Sequence, residues 1–212
     1  MAYVVKETYF TLQGEGAQAG RAAVFCRFAG CNLWSGRVQD REDAACRFCD
    51  TDFLGTDGPG GGRFSSAAGL ADHVSAAWSE RTTGGTPYVV FTGGEPLLQL
   101  DQELVDACRA RGLEVAIETN GTRPVPKGID WVCVSPKPRS SLVSTSGQEL
   151  KLVYPQPELS PADFEGLDFE HFFLQPMDGA HRAEHTRQAI DYCLLHPQWR
   201  LSLQTHKLTG IP

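Results

Sequence analysis

Residues 31–51 read CNLWSGRVQDREDAACRFCDT, with three cysteines, Cys31, Cys46 and Cys49, in a C-x14-C-x2-C arrangement. A C-x2-C pair sets two thiolates on one side of a tight turn, and Cys31 returns to them across a polar, loop-like insert, residues 32–45. Three thiolates fall short of the four protein ligands that structural zinc usually takes. They suit an iron–sulfur cube in which one iron is left to another ligand, a variation on four-cysteine ligation. Counting Cys26 as well gives C-x4-C-x14-C-x2-C, which looks like a zinc ribbon. The cysteines alone leave zinc and cluster both open. Cys26 alternates with Val24 and Phe28 in AVFCRF, a strand pattern that turns Cys26 to the apolar face and Arg27 to the other. Cys108, Cys133 and Cys193 fall within predicted helices or strands and read as small buried hydrophobes.

Working outward, the chain of 212 residues suffices for one domain with a real core, residues 1–212, and shows neither an internal repeat nor a dividing linker. Its 41% hydrophobic and 21% charged content is that of a soluble globular protein. A formal net charge of −7 argues against nucleic acid or a membrane surface as the main partner, though not against a local basic pocket. No apolar run approaches bilayer length. The opening MAYVVKETYFTLQGEG lacks the basic and apolar regions of a signal peptide. Seven cysteines, three of them clustered, fit metal binding in a reducing compartment better than a disulfide framework, and a cytoplasmic location is expected.

Apolar periodicity predicts strands at 22–28, 88–91, 114–117, 131–134, 150–153, 171–174 and 201–203, with an edge strand at 3–10. Helices are predicted at 65–78, capped by Ser65 or Ser66, at 101–111 and at 182–195. The glycine run GTDGPGGG at 55–62 reads as a flexible loop. Strands alternating with helices give an α/β parallel sheet. Only three convincing helices serve about six parallel strands, so the expected architecture is a partial, open (β/α)6-type barrel with a reduced helix complement. Polar residues gather after the strand ends, at 92–95, Glu118, 135–137, 175–178 and 204–206. Ligands in parallel α/β folds bind at those carboxyl ends.

Gly93-Gly94-Glu95-Pro96 after a strand, together with Cys31…Cys46-Arg47-Phe48-Cys49, resembles the radical S-adenosylmethionine superfamily. The long first gap departs from the usual C-x3-C-x2-C and resembles the 7-carboxy-7-deazaguanine synthase family. So do LQGEG at 12–16, RFAGCNL at 27–33, CDT at 49–51, ETNG at 118–121, SPK at 135–137 and QPMD at 175–178. The resemblance implies a 4Fe–4S cluster on Cys31, Cys46 and Cys49, with S-adenosylmethionine on the open iron. It implies that a 5′-deoxyadenosyl radical takes a hydrogen atom from C6 of 6-carboxy-5,6,7,8-tetrahydropterin. Ring contraction and loss of ammonia would then give 7-carboxy-7-deazaguanine. It further implies a magnesium ion held by Thr51, a flavodoxin-type electron donor and a homodimer.

Residue roles follow from the same likeness and from side-chain chemistry. Arg27 can hold the substrate carboxylate bidentately, unless it is only an exposed strand arginine. Asp50 rivals Thr51 as magnesium ligand by charge, and a loop cap is the plainer reading of Thr51. Leu12, Gln13, Gly14 and Glu15 would meet the pterin's amide and amino edge, with Thr92, His206 and the carboxylate of Pro212 completing that set. For the cofactor, Gly94 lets backbone approach the methionine closely. Phe48 would pack on the adenine and Glu118 bond the ribose. Ser135, Pro136, Lys137, Gln175, Pro176, Met177 and Asp178 would contact it by backbone and side chain. Two other classes compete: a radical activating enzyme with a protein substrate, and a non-catalytic zinc module that binds nucleic acid. The long insert and the Arg27 logic count against the first, and the acidic charge and the Gly-Gly-Glu-Pro turn against the second.

Overall fold

Val24, Cys26 and Phe28 are fully buried while Arg27 turns to the other face, and this alternation builds strand β2 (Ala22–Phe28). Residues 2–212 are described by a computed structural model of the chain. β2 pairs in antiparallel fashion with β1 (Tyr3–Leu12) and in parallel with β4 (Tyr88–Gly93). β5 (Glu114–Thr119), β6 (Trp131–Val134), β7 (Ser146–Tyr154), β8 (Asp168–Pro176) and β9 (Trp199–Leu201) continue the parallel run. With β3 (Gly62–Phe64) on β1, the nine-stranded order is β3-β1-β2-β4-β5-β6-β7-β8-β9, and β9 does not close onto β3. The expected partial, open barrel is therefore present, with seven parallel strands, β2 and β4 to β9, in place of about six.

The helices form where their signals stand. Ser66 is extended and its side chain accepts from the Gly69 N–H at 3.2 Å, opening α1 (Ala67–Ser79), which buries Leu70, Ala71, Val74 and Trp78. Asp101 caps α2 (Gln102–Arg109) through the Leu104 N–H at 3.0 Å and also accepts from the Tyr3 hydroxyl at 2.9 Å. Both helices pack outside the first half of the sheet. α3 (Arg182–Leu195) covers β8 and β9, and a short α4 (Thr205–Thr209) follows. The segments 135–145 and 155–167, on either side of β7, carry no α-helix, as the Pro- and Ser-rich composition of the first implies. The apolar core accordingly divides into one cluster under α1 and α2 and a second under α3. No described helix is long and apolar enough to cross a membrane.

Three expectations need correction. β1 is not the sheet edge, because β3 pairs outside it. The glycine run at 55–62 is not a free loop. It docks on β1, with the Thr8 N–H donating to Pro59 O at 2.7 Å and the Gly58 N–H to Lys6 O at 3.0 Å. A side chain at Gly61 would collide with the Lys6 and Thr56 carbonyls, so the glycines permit close approach. The last strand is also shifted from 201–203 to 199–201, because Trp199 is a core residue at 2% exposure.

Candidate active site

Residues that face inward on alternate strand positions, and the loops beyond the strands' carboxyl ends, enclose a cavity of about 450 Å³. That is within the range of small-molecule sites. The cysteine loop forms one wall. Trp34, Ala44 and Phe53 make a small core of their own, against which Cys31 and Cys49 pack. Trp34 meets Phe53 edge-on at 5.6 Å, and the Arg41 guanidinium lies 4.1 Å over the Trp34 ring. Arg41 also donates to Arg47 O and Cys49 O at 2.8 and 2.9 Å. A hydrogen bond with Cys46 lowers the Cys49 thiol to about 6 and pushes Cys46 up. Burial raises Cys31.

Among the described residues, no trio of Cys, His, Asp or Glu is tight enough to share one metal ion. A cubane puts each cysteine on a different iron, so its sulfurs stand further apart than the ligands of a single ion. Cys26 does not join the set: it is fully buried in the core beside α1 and α2, and burial pushes its thiol up to about 12. A closed four-thiolate zinc site is thereby ruled out by position.

The turn after β4 abuts this loop. A Cβ on Gly94 would overlap Gly30 O and stand 2.7 Å from Cys31 Cβ, so only glycine fits. Glu95 is fully buried and accepts from the Leu97 N–H at 2.9 Å, the Thr119 hydroxyl at 2.7 Å and the Asn120 N–H at 2.8 Å. Asn120 Nδ2 in turn donates to Asn32 Oδ1 at 3.0 Å, which ties the end of β5 to the cysteine loop.

The opposite wall is charged. Arg27 donates from Nε to Glu7 at 2.7 Å and from Nη2 to the Tyr9 hydroxyl at 3.1 Å, so it is braced rather than loose. Gln13 Nε2 donates to Glu118 Oε1 at 3.0 Å, and Lys151 Nζ lies 2.6 Å from Glu15 Oε2. Gly14 is pressed against the His206 ring, and its carbonyl accepts from the Thr205 N–H and hydroxyl. Pro212 O accepts from the Thr11 hydroxyl at 3.0 Å. Lys207 bridges Asp50 and Asp178 at 2.5 and 2.7 Å. Both ends of the buried Gln175 amide lack a partner among the described residues. Such a group is costly to leave unmet, which marks a place for a ligand or water.

Of the residues singled out from sequence, Cys46, Cys49, Thr51, Phe48, Gly94, Glu118, Ser135 and Lys137 all line the cavity. So do Leu12, Gln13, Gly14, Glu15, Arg27, Thr92, Gln175, Pro176, Met177, Asp178, His206 and Pro212. Cys31 borders the adjoining hollow, and Pro136 is buried beneath the wall. Sequence reasoning missed Lys6, Glu7, Tyr9, Asn120, Lys151 and Lys207. For Lys151 a signal existed: Glu149 and Lys151 alternate with Leu150 and Leu152, placing two charges on the inner face of a strand.

A parallel sheet rolled into an open barrel, with three thiols at its mouth and a glycine turn seated against them, is the arrangement of a radical S-adenosylmethionine enzyme. No protein-family model matches the chain. It is 68% identical over 212 residues to 7-carboxy-7-deazaguanine synthase of Bordetella pertussis, covering 100% of both chains. It is 40% identical to the synthase of that name from Bacteroides thetaiotaomicron, over 98% of this chain and 97% of that one. The crystal structure of QueE from Escherichia coli superposes with a TM-score of 0.66 at 27% identity, over 96% and 94% of the two chains. The chain belongs to the 7-carboxy-7-deazaguanine synthase family.

Proposed function

We infer that this chain converts 6-carboxy-5,6,7,8-tetrahydropterin to 7-carboxy-7-deazaguanine, and that its residues divide the cavity between cofactor and substrate. The residues present fit the cofactors such a reaction needs. Cys46 and Cys49 lie beside the Lys137 ammonium with Cys31 next to them, Gly94 leaves room that a Cβ would fill, and the Gln175 amide is unmatched among the described residues. Cys31, Cys46 and Cys49 would hold a 4Fe–4S cluster. Gly94, Phe48, Ser135, Lys137 and Gln175 to Asp178 would hold S-adenosylmethionine. When bound, these groups supply one-electron cleavage of a sulfonium and abstraction of the C6 hydrogen.

The protein's own part is position and charge. Arg27, braced by Glu7 and Tyr9, presents a fixed guanidinium to the substrate carboxylate. Gln13, Glu15, Glu118, Thr92, His206 and Pro212, which all line the cavity, would surround the pterin's polar edge, with Leu12 and Gly14 closing over it. Glu118, which accepts from Gln13, would serve the substrate edge alongside it, and its hydrogen bond to that residue supports this assignment over the ribose. Thr51 would take a magnesium ion, because Asp50 is already engaged by Lys207 and Gln204. Magnesium tolerates one neutral protein ligand while keeping waters and substrate oxygens. A flavodoxin-type protein as electron donor, a homodimeric assembly and a cytoplasmic setting complete the reading. The last is supported by free thiols at all seven cysteines and the second by base rate.

The observation that carries the reading is that Cys46, Cys49 and Gly94 line one cavity while Cys31 packs directly against Gly94. Anaerobic protein with reductant, S-adenosylmethionine and substrate is expected to yield the deazaguanine by mass. Cys46→Ala should lose the roughly four irons of the cluster and all product. Formation of 5′-deoxyadenosine with no substrate consumed would remove the pterin assignment.

A further inference from the structure

Lys151 projects from β7 into the barrel, its side chain only 7% exposed. A lone ammonium is very costly to bury, so its neighbours decide why it is tolerated. Nζ lies 2.6 Å from Glu15 Oε2 and 3.4 Å from Glu118 Oε1. These acids arrive from different elements, Glu15 from the loop after β1 and Glu118 from β5, two strands away from β7 across β6. Gln13 Nε2 reaches the same Glu118 Oε1 at 3.0 Å.

A third acid, Glu149, is occupied elsewhere. Its Oε2 accepts from the Ala17 N–H at 2.9 Å and its Oε1 faces the Cys133 thiol at 3.4 Å. Any side chain at Gly16, whose φ is +66°, would run into that carboxylate. Glu149 therefore holds the glycine loop and forms no ion pair with Lys151.

We infer that Lys151 is a positioning residue of the substrate site: it clamps Glu15 and Glu118 as neighbouring acceptors and so selects ring systems with a 2-amino-4-oxo, N–H-rich edge. The inference rests on the proposed placement of Gln13, Glu15 and Glu118 at the substrate. One cation between two carboxylates leaves one negative charge in excess. An ionised carboxylate only accepts, so such a pair suits a neutral ring edge that presents adjacent N–H donors. Both protein contacts to Glu118 fall on Oε1, which leaves its second oxygen for a guest.

The charged and titratable groups around Lys151 are Glu15, Glu118, Cys133 and Glu149, with His206 close to Glu15. On the β8 side the register neighbour is Phe173, with Arg200 stacked on its ring at 5.1 Å. Burial would raise the Glu15 carboxyl. The Lys151 ammonium, with Gln204 and His206, outweighs burial and holds it below the usual carboxylate range.

The test is binding of 6-carboxypterin, which keeps the 2-amino-4-oxo edge, to cluster-loaded protein without reductant, followed by its fluorescence across acidic to neutral pH. 6-Carboxylumazine, with oxygen in place of the 2-amino group, measures selectivity. Lys151→Met with its cluster absorbance intact is expected to weaken carboxypterin binding roughly 10- to 100-fold, the loss of charge-assisted bonding. Its acid limb should move to higher pH, and its preference over the lumazine should shrink.

Lys151→Met/Glu15→Gln removes both charges together and guards against misfolding of the single variant. It should show less preference than Glu15→Gln alone, because Glu118 has lost its clamp. Unchanged affinity, acid limb and preference in Lys151→Met, or equal preference in the double variant and Glu15→Gln, would overturn the role of Lys151. If Glu15→Gln and Glu118→Gln themselves bind carboxypterin like the parent, the placement of the site falls first.

Discussion

Two buried carboxylates in this barrel are satisfied in opposite ways. Glu95 accepts from three neutral donors, two of them backbone N–H groups, and has no cation in contact. Glu15 is held by the Lys151 ammonium at 2.6 Å. Neutral donors on fixed backbone make a rigid knot, and the Glu95 knot stitches the ends of β4 and β5 beneath the cysteine loop. An ion pair keeps charge and spare lone pairs in the cavity, which is what a site for a polar guest requires. The same side-chain type thus serves construction in one wall and recognition in the other.

The largest effect is expected from Glu95→Ala. It leaves three buried donors unmatched and should cost about 3–5 kcal/mol of stability. A fall in Tm on the order of 10 °C follows for a chain of this size. A variant that melts with the parent would erase the contrast between the two acids.

Arg27→Ala, on the recognition side, should raise KM for the pterin about 10- to 100-fold, the value of a charged hydrogen bond of about 1.5–3 kcal/mol. The cluster spectrum should stay that of the parent, and its loss would make Arg27 a structural residue instead.

The acids also titrate with opposite sign. Burial, against the bonds from Thr119, Asn120 and Leu97, raises the Glu95 carboxyl. Its contribution is complete at acid pH and is lost as pH rises through the folded value. Glu15 is lowered, so its contribution is present above the ordinary carboxylate range and is lost as pH falls through the folded value. Melting curves over pH should therefore flatten on the neutral side in Glu95→Gln and on the acid side in Glu15→Gln. Curves that flatten on the same side would show that the two acids do not differ electrostatically.

The smallest effect is a control. Ser66→Ala removes the α1 cap for about 1 kcal/mol, on a helix that does not line the cavity. Denaturant melts should show that loss with substrate KM unmoved.

Legibility in the sequence followed the physics of each part. α1, α2 and most strands were readable because caps and apolar periodicity are local. The cysteines and the Gly-Gly-Glu-Pro turn were readable because close approach and thiolate ligation demand particular residue types. β3 was not, since GRF has no apolar period and exists as a strand only because β1 offers an edge. The partners of Lys151 were not, because Glu15, Glu118 and Lys151 are joined only by the curl of the sheet. Charged residues inside β7 were the available clue, but the apolar reading of 150–153 left Glu149 and Lys151 without a role. Arg27 was found, but its brace by Glu7 depends on the antiparallel register of β1 and β2.

The Trp34–Phe53 contact has a consequence for how the protein matures. With Arg41 spread over the indole and bonded to the carbonyls of Arg47 and Cys49, the loop carrying the sulfurs is already shaped by its own hydrophobic anchor. Iron and sulfide would then arrive at a prepared berth. Unlike a zinc finger, whose chain folds only around its ion, this segment should resist chelators without unravelling.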